Sequence, residues 1–178
     1  MIRRFLTLMF LVVLLSACAT ESPESKQVKG VIMQYNALLA EGYKNLNMNP
    51  LQLVASEDVA TKAYYHMAAL GEGKVRMVSV LKDMKFKEVK FPSPDTATVT
   101  TREIWDFTHN DINTGKKVYE EKGYPYDMTY ELKKGGGKWK IYDVSAVGEE
   151  RDDNAGAARP GAGHGSAAKS SALPVGKK

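Results

Sequence analysis

The sequence predicts an α+β domain in which two or three N-terminal helices pack on a four-stranded antiparallel sheet. Three observations carry that prediction. Apolar residues recur at spacings of three and four from Val28 to Leu70, and the period changes to two after Gly73. The alternating segments are joined by stretches short enough for hairpins, such as Gly135-Gly136-Gly137. All helical signals precede all strand signals, which belongs to α+β architecture and not to alternating βαβ units.

Ser22-Pro23-Glu24 opens the first helix with a cap, a proline at the first helical position and an acid in the first turn. Val28, Val31, Ile32, Tyr35, Leu38 and Leu39 then form one stripe, and the helix is expected to end near Gly42. Asn49-Pro50 is a second start signal, and Leu51, Val54, Val59, Ala63, Met67 and Leu70 extend the stripe towards Gly71 and Gly73. Ser56-Glu57-Asp58 can cap a separate helix, so this stretch reads as one helix or as a short one followed by a longer one.

Val75 to Phe91 reads as a long strand, broken near Lys82-Asp83 by a bulge or bend. A turn at Pro92-Ser93-Pro94-Asp95 leads into Thr96 to Thr108, the strongest alternation in the chain. Ala97, Val99, Thr101, Glu103, Trp105 and Phe107 fall on one side, and Thr98, Thr100, Arg102, Ile104 and Asp106 on the other. Asn110 to Gly115 is a hairpin sequence, Tyr124 to Leu132 the third strand and Lys138 to Val144 the fourth.

The first residues have a different character. Arg3 and Arg4 precede an apolar run from Phe5 to Leu15, which ends in Leu15-Ser16-Ala17-Cys18. The order resembles a secretory signal closing on a bacterial lipobox. That resemblance implies removal of residues 1–17 by the lipoprotein signal peptidase, a diacylglycerol thioether on Cys18 and usually a third, amide-linked chain. Eleven apolar residues fall well short of the roughly 20 that span a bilayer. Alanine, not aspartate, follows Cys18, which points to the outer membrane, with the domain facing the periplasm. Residues 18–24 then form a tether, 25–147 the domain, and 148–178 a disordered tail rich in Gly, Ala, Ser and charge.

With its one cysteine acylated, the chain has none left for a disulfide or a thiolate metal site. The full sequence carries 25 basic and 21 acidic residues, and loss of Arg3 and Arg4 brings the net charge to about +2. That balance excludes nucleic acid as a partner by charge.

Tyr126-Asp127-Met128-Thr129-Tyr130-Glu131-Leu132, a glycine turn and Lys138-Trp139-Lys140-Ile141-Tyr142-Asp143-Val144 resemble the closing strands of the nuclear transport factor 2-like superfamily, a cystatin-like α+β cone. The resemblance rests on Trp139, Ile141 and Asp143 and covers about residues 25–147. It implies a curved sheet wrapping the helices, and a sheet face that often dimerises. Enzymes of the superfamily place an acid, a histidine or a tyrosine inside the open end. The candidates here are Tyr35, His66, Asp106, His109, Tyr126 and Asp127, with His66, Asp106 and Tyr126 as the pocket candidates.

None of these stands in a catalytic motif. His66 follows Tyr64 and Tyr65 beside the stripe position Met67, which suits either a general base or a boundary residue. Asp111-Ile112-Asn113-Thr114-Gly115 opens like a calcium loop, but Lys122 stands where a bidentate glutamate belongs, so it reads as a turn. The aromatic residues of the strands either line a pocket or pack under the helices. Lys85, Lys87 and Lys90, with Lys116 and Lys117, read as strand-edge guards.

The expectation is therefore a lipid-anchored periplasmic protein acting as a non-enzymatic binding or assembly module, with no cofactor and no metal. Its partner would be another envelope protein or a second copy. One alternative is a small pocket enzyme or carrier for a hydrophobic ligand, with His66, Asp106 or Tyr126 at the mouth. Another is a cell-wall-associated lipoprotein that binds through its tail. A large cavity with converging polar groups would favour the enzyme, and a filled interior the binding module.

Overall fold

The computed structural model describes residues 21–147, so Cys18, the signal segment and the tail of 148–178 lie outside the described residues. Helix α1 spans Pro23–Asn45, and its Ser22 cap accepts a hydrogen bond from the Ser25 N–H at 3.1 Å. It therefore starts inside the segment read as tether. It also runs past Gly42 and stops at Leu46, which adopts the left-handed conformation. Gly42 does not terminate the helix; it leaves room for the Met48 side chain. A Cβ there would meet the Met48 sulfur at 2.5 Å and the Asn47 carbonyl oxygen at 3.1 Å.

A 3-10 turn at Asn49–Leu53 precedes helix α2, Glu57–Glu72, whose Ser56 cap accepts from the Val59 N–H at 3.4 Å. The short-then-long alternative is thus the one adopted. Four strands complete the domain: β1 Val75–Ser93, β2 Thr96–Asp111, β3 Lys117–Gly135 and β4 Lys138–Ala146. They form an antiparallel meander in the order β1-β2-β3-β4. The register of β1 on β2 slips between Leu81 and Asp83, where the sequence predicts a bulge.

Strand β3 begins well before Tyr124. Its first residues, Lys117 to Gly123, are charged and mostly exposed, so no buried face leaves an alternating imprint on the sequence. The Asp111 turn forms as expected, with the Asp111 carboxylate accepting from the backbone N–H groups of Asn113 and Thr114.

The core lies between the helices and the inner face of the sheet. Val28, Ile32, Tyr35 and Leu39 of α1 meet Val99, Met128, Tyr130, Leu132 and Ile141. Each fully buried aliphatic side chain contributes roughly 1.5–3 kcal/mol. Both helices touch β1 and β4, the two opposite edges of the sheet, so the sheet curls around them. A backbone clip holds the turn between the helices to the last strand: Ser56 N–H donates to the Ile141 carbonyl at 2.8 Å, and Ile141 N–H donates to the Val54 carbonyl at 2.9 Å. The architecture is α+β, helices on a four-stranded open antiparallel sheet.

The outer face of the sheet is mainly polar, with Val80 and Ile104 as apolar exceptions. Asp127 sits between Lys87 and Arg102, and Thr98, Thr100 and Thr129 lie on the same side.

Candidate functional site

The acid inside the sheet is Glu103, which the alternation of β2 directs inward between Thr101 and Trp105. It is fully buried, as are Thr101, Asn36 and Tyr130. Trp105 Nε1–H donates to one carboxyl oxygen at 2.8 Å, while the Tyr130 hydroxyl at 2.7 Å and the Thr101 hydroxyl at 2.8 Å donate to the other. The Asn36 amide donates to the Tyr130 oxygen at 3.0 Å. A ring of donors is the complement of an accepting carboxylate, and such saturation is what makes a buried acid tolerable. Burial, and next the Glu103 charge, push the Tyr130 phenol well above its ordinary pKa, so it remains a donor. The network is closed on itself, with no member open to solvent. Sequence reasoning placed Glu103 on this face without singling it out; an acid within an alternating apolar side was the available signal.

His66 stands elsewhere, on α2. Its Nδ1 shares a 2.5 Å hydrogen bond with the buried hydroxyl of Tyr43, and the two rings meet edge-on at 5.4 Å. Burial, and next the nearby His109, lower its pKa below the usual imidazole value. The cleft beside it, bordered by Tyr35, Lys62 and Asp143, has a volume of about 20 Å³. That holds a water molecule, whereas small-molecule sites run to ~300 Å³ or more.

Of the other candidates, Tyr35 borders the cleft at His66 and His109 lies near it, whereas Asp106 and Asp127 lie elsewhere. Asp106 lies on the outer side of β2, where it accepts the Gly123 N–H at 2.8 Å and supports the kink between β2 and β3. Asp127 is also on the outer face, its carboxyl held below the usual range by the hydrogen bond from Lys87 and then by that from Arg102. Tyr35 is buried edge-on against Tyr130 at 6.2 Å. Tyr126 is on the inner face with its ring 4.7 Å from Tyr124, and burial pushes its phenol up to about 12.

Tyr126 belongs instead to an aromatic shelf. Along the inner face towards the β2–β3 turn, Trp105 and Phe107 stack at 6.1 Å, and Phe107 meets Tyr126 at 6.1 Å. His109 then meets Tyr119 at 5.2 Å. Exposure rises along it, from 3 % at Trp105 to 46 % at Tyr119, with Val118 at 59 % next to it. The shelf is thus rooted in the core and open at its far end. Among the described residues no group of three or more His, Cys, Asp or Glu is placed to hold a metal, and no helix is long and apolar enough to cross a membrane.

No protein-family model and no curated protein sequence matches the chain. Among solved structures, the intermembrane space region of the chloroplast protein ARC6 is similar at a TM-score of 0.60 and 12% identity, covering 68% of this chain and 94% of that one. A periplasmic fragment of TraM gives 0.49 at 8% identity, over 71% and 98% of the two chains. A ketosteroid isomerase-like protein from Erwinia carotovora atroseptica gives 0.42 at 15%, over 67% and 96%. The ARC6 likeness is one of fold alone, and the other two superpose less well.

Proposed function

We propose that this chain is a lipid-anchored protein of the bacterial envelope whose α+β domain is a non-enzymatic binding module, and that the aromatic shelf is the surface it offers to another periplasmic protein. The observation that carries this reading is the contrast, among the described residues, between the filled surroundings of Glu103 and His66 and an open shelf. Glu103 is saturated by its own neighbours, and the cleft at His66 admits little more than water. Neither leaves room for a reacting substrate or a carried ligand. The shelf presents tyrosine and histidine at its exposed end and has buried aromatic support beneath. Aromatic anchors on a rigid base are the residues that dominate binding energy at protein interfaces.

The anchor rests on Arg3, Arg4 and the Leu15-to-Cys18 sequence. The ARC6 region lies between two membranes, a setting like the one proposed here. Pairing with a second copy through the outer sheet face would bring the charges of Lys87, Arg102 and Asp127 into the interface together with the apolar Val80 and Ile104, which disfavours it.

The test is site-specific photocrosslinking in intact cells. A crosslinker at Tyr119 is expected to capture a discrete heavier species, while one at Thr100 on the outer face captures none. A species of twice the protomer mass would replace the heterologous partner with a second copy. Capture at Thr100 alone, or at neither position, would refute the shelf. Separately, Cys18→Ser is expected to block both acylation and removal of residues 1–17, and a variant that is still processed and membrane-bound would remove the anchor.

A further inference from the structure

We infer that the end of the domain opposite the shelf is a membrane-contact surface that seats on anionic lipid headgroups. This rests on the lipid-anchored reading and adds an orientation to it. Three separate parts of the chain meet at that end. Lys134, before the β3–β4 turn, pairs with Glu24 in the first turn of α1 at 2.7 Å. Its backbone N–H donates to the Asp95 carbonyl in the β1–β2 turn at 2.8 Å. Phe91 of β1 packs on Trp139 of β4, with ring centres 6.0 Å apart.

Chain length brings this end to the bilayer. Only Ala19, Thr20 and Glu21 separate Cys18 from the Ser22 cap of α1. Four steps of extended chain reach at most about 14 Å, so an acyl chain on Cys18 holds the start of α1 within that distance of the lipid. The short tether leaves the domain little freedom to turn its other end down.

The chemistry of the surface fits what it would meet. Glu21, Glu24 and Glu88 are taken up by ion pairs with Lys29, Lys134 and Lys90. Lys26, Lys133 and Lys138 are exposed and form no ion pair with a carboxylate among the described residues, Lys133 lying over the Tyr142 ring at 4.7 Å, and they outnumber Asp95 and Glu131, the nearby acids outside those three pairs. Phe91 is 37 % exposed, between Lys90 and Pro92, an apolar side chain flanked by base in the manner of interfacial anchors. Clustered lysines beside a bilayer bind its anionic lipids.

The opposite orientation of the shelf comes from the strands. Thr96 starts β2 at the lipid end and Asp111 finishes it at the other. Sixteen residues at about 3.3 Å each put the turn beyond Tyr119 at the far end of the strand, at most about 50 Å from the lipid end.

The test uses the full-length protein purified from membranes, with acylation of Cys18 first read from its mass; an unmodified mass would sink the anchor and leave this inference without its premise. The acylated protein is placed in vesicles of phosphatidylethanolamine with phosphatidylglycerol, and lysines are acetylated under limiting reagent. Lys133 and Lys138 are expected to react about fivefold more slowly, relative to Lys116 and Lys117, than they do in the soluble, unacylated chain of residues 19–178 made without its signal segment, as clustered lysines held at an anionic surface should. Equal ratios in the acylated and soluble proteins would overturn the seating. Equal protection on vesicles of phosphatidylcholine alone would overturn the assignment to anionic headgroups.

Discussion

Glu103 accepts hydrogen bonds from four side chains, those of Thr101, Trp105 and Tyr130 and, at 3.5 Å, Asn36, and is buried away from any water that could replace them. Glu103→Gln keeps the shape and sets an amide donor among donors, so at least one bond must break. The variant is expected to lose about 2 kcal/mol or more, seen as a lower urea midpoint with unchanged slope. His66 and His109 make stability depend on pH in a definite direction. Burial lowers both below the reference value of 6.5, so between the two values the unfolded chain binds more protons than the folded one. Their contribution is complete above about pH 6.5 and is lost as pH falls through the folded values. Thermal midpoints should therefore drop between pH 7 and pH 5, and His66→Gln should flatten that slope. Asp127, lowered by Lys87, adds a loss of the same sign only in the carboxylate range.

Within α1, two glycines have opposite surroundings. Gly30 is exposed with nothing within 4 Å of an added methyl, whereas Gly42 faces Met48 and the Asn47 carbonyl. Gly30→Ala is expected to stabilise by roughly 0.5–1 kcal/mol through helix propensity. Gly42→Ala gains the same propensity and must displace buried Met48, so it is expected to be destabilising overall, by about 1 kcal/mol, in the same denaturation measurement. The starts of both helices were legible because Ser22 and Ser56 cap by local chemistry. Their neighbourhood was not: Gly42 reads as a stop until Met48 is seen folding back on it. The first half of β3 was hidden for the opposite reason, since Lys117 to Gly123 bury no face. The alternation of β2 already set Asp106 opposite Trp105, and the structure keeps it there. The hydrogen bond between Tyr43 and His66 joins residues 23 positions apart on two helices, and nothing local to either announces it.

Across the whole molecule, the curl of the sheet and the clip at Ile141 make one closure. Each strand pairs with the strand before it, so every hairpin can form as soon as its second half is available. Val54 and Ser56 have no such early partner: their backbone bonds go to a residue more than eighty positions later. The last strand is therefore the latch of the domain. A chain that crosses a membrane with its N-terminus first would carry the turn between its helices unclipped until Lys138–Ala146 arrives. Synthesis halted before Trp139 would leave the helix stripes without their final cover, an open form that quality-control proteases can tell from the finished one.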